Sequence, residues 1–237
     1  MAFVAKLFAV ALALVGPAPA DCPKELQIKA GDQIVAMGDS ITAGGGYLRD
    51  IDAVLAQQYP DLKIPKVINK GISGQKAEDL VQRFARDVLQ LKPAFVTINI
   101  GINDVWHRLG KPHDEKVLAA YQENVAKMVD EAQKAGIKVI LLTPTVIQED
   151  ASAEGNKRLT LYVEAQKKIA AEKRCQLVDL HCMFLTALKQ KPADQKGKNW
   201  LTGDGVHMKP LGDAIMATGV LRALGVPDAK IAAATAR

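Results

Sequence analysis

Gln33-Ile34-Val35-Ala36-Met37-Gly38-Asp39-Ser40-Ile41-Thr42 is an apolar run that stops at a glycine, an acid and a serine. The run 33–37 shows no polar alternation, so it reads as a strand buried on both faces, as in a parallel sheet covered by helices. The Gly-Asp-Ser that follows reads as the turn from this strand into a helix. In open α/β sheets that edge is where ligands bind, so Ser40 presents a hydroxyl from a rigid strand end. A lone Gly-Asp-Ser carries little weight, because composition alone supplies one in roughly one chain in twenty of this length. By itself Ser40 reads equally well as a helix cap.

Outward from this stretch the pattern repeats. Strands are expected at 33–37, 66–69, 94–100, 138–143 and 176–180. Between and after them apolar residues recur at helical spacing: Leu48/Ile51/Leu55, Leu80/Val81/Phe84/Val88, Leu118/Tyr121/Val125/Met128/Ala132, Leu159/Tyr162/Ile169 and Leu211/Ile215/Leu221. Asp114 precedes the third of these, Gly136 ends it, and Pro210 suits a first helical turn. Such alternation predicts one three-layer α/β/α domain around a five-stranded parallel sheet. Pro65 beside the second strand favours an edge position, since proline cannot donate to a ladder. The expected strand order is therefore the flavodoxin-like 2-1-3-4-5. The alanine-rich end, 231–237, is expected to fray.

The first twenty residues read differently. Lys6 precedes the apolar run 7–15, and Pro17-Ala18-Pro19-Ala20 resembles a small-residue cleavage site. Nine apolar residues are too few to span a bilayer. Residues 1–20 are thus expected to be a signal peptide cleaved after Ala20, leaving 21–237 as one domain that is secreted or periplasmic, with no integral membrane span. In an exported chain, Cys22, Cys175 and Cys182 raise the question of a disulfide. Cys175 and Cys182 bracket the fifth strand, which would hold them roughly 20 Å apart, too far to bridge. Cys22–Cys175 is the favoured pair and Cys22–Cys182 the second.

Net charge is +5. No arginine cluster or aromatic-interleaved basic stripe argues for nucleic acid. Lys189, Lys191, Lys196 and Lys198 lie within ten residues just before Trp200, which reads as a solvated loop or as a means of steering an anionic substrate. His107, His113 and His181 show no metal-ligand spacing, and no metal or cofactor is expected.

The strand ends carry the chemistry. Gly38-Asp39-Ser40 follows the first, Asn69-Lys70-Gly71-Ile72-Ser73-Gly74-Gln75 the second, and Gly101-Ile102-Asn103-Asp104 the third; Asp204-Gly205-Val206-His207 stands before the last helix. A serine hydroxyl needs a base to take its proton as it attacks. His207 can do so, and Asp204 can hold the other ring nitrogen. The Ser40 and Gly74 backbone N–H groups and the Asn103 amide are candidate donors to an oxyanion. Asp39 and Asp104 read as scaffold for these loops. Read singly, Asn103-Asp104 is also compatible with a turn after a strand, and His207 with packing on the last helix.

Taken in order, these blocks resemble those of the SGNH hydrolases, the GDSL esterases and lipases, across essentially the whole of 21–237. The resemblance implies Ser40 as nucleophile, His207 as base, Asp204 as its orienter, and Ser40, Gly74 and Asn103 as the oxyanion hole. It implies a carboxylic ester hydrolase working through an acyl-enzyme on a small-molecule or glycan ester. The α/β-hydrolase elbow G-x-S-x-G is not met, because Thr42 holds its last position. The export signal and the lack of a long apolar lid favour short acyl groups, acetyl on a carbohydrate. The alternatives are a lysophospholipase- or thioesterase-like lipid hydrolase, or a silent glycan-binding module on the same fold. Among 11 aromatic residues, Trp106 and Trp200 flank the expected loops and Tyr47 follows Gly44-Gly45-Gly46, so all three are candidate substrate-binding residues.

Overall fold

The computed structural model describes residues 7–235. Five parallel strands form the sheet: β1 (Ile34–Gly38), β2 (Ile68–Gly71), β3 (Phe95–Asn99), β4 (Lys138–Leu142) and β5 (Gln176–Val178). Their order is β2-β1-β3-β4-β5, as expected, with Pro65 leading into an edge strand. Every residue of β1 and β3 is buried, which explains the unbroken apolar run at 33–37. The register aligns Gly38 with Asn99 across β1/β3 and with Gly71 across β1/β2. Three of the four loops of interest thus leave one edge of the sheet side by side.

Helices cover both faces. They are α1 (Leu7–Val15), α2 (Ser40–Gly44), α3 (Gly46–Gln58), α4 (Ala77–Asp87), α5 (Ile102–Trp106), α6 (Glu115–Lys134), α7 (Glu154–Lys173), α8 (Leu180–Leu188), α9 (Pro210–Ala223) and α10 (Asp228–Ala233). The Asp114 side chain caps α6 by accepting from Lys116 N–H, and Gly136 takes a left-handed φ of 74° just past its end. α3 and α9 pack on each other, as do α6 and α7. The core between these layers includes Leu80, Phe84, Val125, Met128, Ile215 and Leu221, all from the helical stripes legible in the sequence.

Three expectations are corrected. Leu180 opens α8 rather than closing β5, because Asp179 caps a new helix by accepting from Cys182 N–H. The tail does not fray as far as Thr235: Ile231 and Ala234 are buried, and Thr235 N–H donates to Gln57 Oε1. The last two residues lie outside the described part. Cys22, Cys175 and Cys182 are free thiols, so neither expected disulfide is formed, although Cys22 and Cys175 line the same cleft beside Ala223. Burial pushes the Cys175 thiol up to about 11.

Within the expected leader, residues 7–15 form α1, which packs on α8, α9 and α10. Phe8, Ala11 and Leu14 are buried there. Its end is held by Gln190 Nε2 donating to Leu14 O and Arg222 Nη2 donating to Gly16 O. No described helix is long and apolar enough to cross a membrane.

Candidate active site

Ser40 is the first residue of α2. Asp39 is the N-cap, its Oδ1 accepting from Ile41 N–H at 3.0 Å. A first-turn N–H has no partner within its own helix, which makes the Ser40 amide, at the start of α2, a candidate donor. Two close approaches make this turn: a Cβ on Gly38 would lie 2.2 Å from Thr42 Oγ1, and one on Gly71 would lie 2.1 Å from Ala43 N. Asn69 ties β2 to the same helix, donating to Thr42 O at 2.8 Å and accepting from Gly71 N–H at 2.8 Å.

From the other side of the site, residues 201–209 make a small hairpin. Thr202 bridges Met208, Gly203 N–H donates to His207 O, and Lys209 N–H donates to Leu201 O. At its tip Gly205 adopts φ 96°, the left-handed region glycine tolerates. Asp204 Oδ1 accepts from Val206 N–H (3.0 Å) and His207 N–H (2.8 Å), while Oδ2 faces His207 Nδ1 at 2.7 Å. Burial opposes the Asp204 charge, but the His207 ring and these two amides outweigh it and lower its pKa to about 2. The ionised carboxylate therefore holds the hydrogen on Nδ1. The Nε2 lone pair is left for the Ser40 hydroxyl, whose Oγ lies 2.8 Å away.

Gly74 and Asn103 complete the edge. Gly74, at φ 79° and exposed, turns the loop after β2. Asn103 is buried in the first turn of α5 and donates one amide hydrogen to Gln75 O at 3.0 Å, which leaves its second hydrogen. Arg83, which the sequence reading did not single out, underlies all of this. Its guanidinium donates to Gly38 O, Lys70 O, Gln75 Oε1 and Asp87 Oδ2, joining the ends of β1 and β2 to the Gln75 loop. In the sequence it is one more charged residue on a helix; only its burial marks it.

Asp39 and Asp104 are buried scaffold. Asp104 Oδ1 accepts from Ala77 N–H, and burial pushes Asp39 up to about 6 and Asp104 up to about 7, with the Asp39 charge adding to the latter. Of the three aromatic candidates, Trp106 meets the His207 ring edge-on, with centroids 6.1 Å apart. Trp200 is half-buried just before the hairpin, its backbone N–H donated to Glu149 Oε2. Tyr47 is fully buried and its hydroxyl bonds Thr42 Oγ1, so it does not line a substrate site. The glycine run before it lets the chain dive into the core at the start of α3.

The family model for GDSL-like lipase/acylhydrolases matches residues 36–215. The chain belongs to this family. It is similar to an acetylxylan esterase from Geobacillus stearothermophilus, with 32% identity over 84% of this chain and 97% of that protein. Solved structures of that esterase superpose with a TM-score of 0.76, covering 86% of this chain and 98% of theirs. Three of them are catalytic mutants, with a serine, an aspartate or a histidine replaced by alanine. Esterase TesA from Pseudomonas aeruginosa is 30% identical over 49% of this chain and 56% of its own length. The chain is a carboxylic ester hydrolase with an SGNH fold.

Proposed function

We propose that the protein is an exported serine esterase that removes short acyl groups, acetyl above all, from a carbohydrate. The observation that carries the mechanism is the continuous chain Ser40 Oγ–His207 Nε2–His207 Nδ1–Asp204 Oδ2, with both contacts below 3 Å. Ser40 Oγ attacks the ester carbon as its proton passes to Nε2. The oxyanion meets the Ser40 and Gly74 amides and the free hydrogen of the Asn103 amide. His207 then gives that proton to the leaving sugar oxygen as the C–O bond breaks, so that the sugar departs with a free hydroxyl. Water, deprotonated by the same nitrogen, attacks the acyl-enzyme, releases the acid and returns the proton to Ser40.

The carbohydrate reading draws on the acetylxylan esterase as a relative along nearly its full length. It also draws on the openness of the site: the His207 side chain is 41% exposed, so an ester on a bulky polymer can reach it. Trp106 beside that ring supplies a face on which a sugar can stack. Export is supported by Lys6, the apolar run 7–15 and the Pro17–Ala20 site. The description of the matched family as GDSL-like lipases and acylhydrolases supports, as a second reading, cleavage of lipid or thioesters. A rate profile over p-nitrophenyl esters from acetate to palmitate, with acetate release from acetylated xylo-oligosaccharides, separates the two. The proposal expects acetate to dominate and free acetate to appear; a maximum at palmitate with no release from the oligosaccharide overturns it.

A further inference from the structure

Glu149 lies in the loop between β4 and α7, far in sequence from every motif block, and its side chain is 3% exposed. Its carboxylate gathers five donors. Oε1 accepts from Leu201 N–H (2.6 Å), Thr202 N–H (2.8 Å) and Thr202 Oγ1–H (2.9 Å); Oε2 accepts from Trp200 N–H (2.7 Å) and Lys191 Nζ (3.0 Å). Three consecutive backbone amides closing on one carboxylate form an anion-binding concavity. Here the anion is the protein's own. Those amides belong to the first arm of the hairpin whose tip carries Asp204 and His207.

The grip has a second point. Gln148 N–H donates to Gly205 O at 2.8 Å, at the tip itself. Gln148 adopts φ 63°, a conformation that costs a non-glycine residue energy and persists only where its surroundings hold it. Asn156, buried in α7, supplies that hold. Its Oδ1 accepts from Ile147 N–H, and its Nδ2 donates to Gln148 O and Asp150 O. The loop is thus rigid on the scaffold side and bonded to the hairpin at both base and tip. Lys191 brings the lysine segment onto the same carboxylate, so one cation of Lys189–Lys198 is part of the clamp.

We propose that Glu149 is a positioning residue: it holds the 201–209 hairpin so that His207 Nε2 meets Ser40 Oγ. This rests on the reading of Ser40, His207 and Asp204 as the catalytic set. Such a residue acts on turnover more than on substrate capture, because a shift of about 1 Å in the base can cost up to about 100-fold in rate.

The test is Glu149→Gln, which keeps the shape but places an NH2 against the donors of Trp200 and Lys191. At a temperature where circular dichroism shows the variant folded, kcat is expected to fall about 10- to 100-fold, with KM within about threefold. Fluorophosphonate labelling of Ser40 should slow in parallel. The downfield proton resonance of His207 Nδ1–H in the Asp204 bond should shift or broaden, a change that a purely stabilising residue would not produce. A folded variant with wild-type kcat and an unmoved resonance overturns the proposal, as does a rate loss accounted for by the unfolded fraction alone. Should Glu149→Gln not fold, Thr202→Val, which deletes one donor of the five, decides. A kcat lowered severalfold with a shifted resonance supports the clamp, and wild-type values in both overturn it. Ser40→Ala is the control: if it retains turnover, the catalytic reading fails and not the clamp.

Discussion

Ser40 and His207 stand 167 positions apart in the chain, yet Oγ and Nε2 lie 2.8 Å apart. The gap is closed from two directions. β1 delivers the serine to the sheet edge, and a hairpin seated on the β4–α7 loop delivers the histidine. A serine hydroxyl is a poor nucleophile without a base; in the proposed mechanism this contact makes Ser40 the nucleophile and His207 its base.

Asp204 holds the imidazole by one oxygen and its own backbone turn by the other. In Asp204→Asn the Oδ1 contacts can survive while the charge that fixes the Nδ1–H tautomer is lost. The variant is expected to keep the wild-type circular dichroism spectrum and lose about 10²- to 10⁴-fold in kcat. Steady-state kinetics on p-nitrophenyl acetate check this.

Asn103→Ala removes the proposed donor to the developing oxyanion and one tie to Gln75 O. Loss of such a donor costs about 10²- to 10³-fold in kcat with KM little changed. A rise in KM at constant kcat would instead assign Asn103 to substrate binding.

Burial lifts Asp39 to about 6 and Asp104 to about 7. A carboxyl whose folded pKa exceeds its unfolded one stabilises the fold fully below the unfolded value, near 4, and this stabilisation is lost as pH rises through the folded value. From these two groups, stability therefore declines between about pH 4 and 7. Asp104→Asn cannot ionise, so its stability relative to wild type should improve across that window, by roughly 1–4 kcal/mol. Urea midpoints at pH 4, 5.5 and 7 measure it; a constant difference would contradict the assignment.

If residues 1–20 are a leader, exported protein begins at Asp21 and lacks α1. The hydrogen bonds described at its end reach Gln190, in the turn after α8, and Arg222 of α9, but not the 203–207 turn, so the shortened chain should keep wild-type turnover. Intact mass of the exported protein locates the terminus, and a mass that includes Leu7 would contradict cleavage.

Much of this was legible in the sequence because it depends on local pattern. An apolar run marked β1, an apolar-rich stretch interrupted by Thr97 and Asn99 marked β3, and Pro65 marked the edge strand. Three short blocks marked loops that leave one sheet edge, and a fourth marked the hairpin turn that meets them. What escaped depends on distant contacts. Tyr47 looked like a mouth residue because glycines precede it, but packing buries its ring. Arg83 and Glu149 carry no motif: one is a helix charge and the other a loop acid until the fold surrounds each with partners contributed by other segments. The short helices α2, α5 and α8 have too few turns to show periodicity. The cysteine pairing failed for a related reason, since sequence separation bounds a distance but does not establish a contact.

The central claim is that Ser40 is the nucleophile made reactive by His207. Incubation with a fluorophosphonate, followed by intact mass and peptide mapping, tests it most directly. The expected result is one adduct per chain, on the peptide containing Ser40, absent in Ser40→Ala and strongly slowed in His207→Ala. An unlabelled wild-type protein, or an adduct elsewhere with Ser40→Ala still hydrolysing esters, would contradict it.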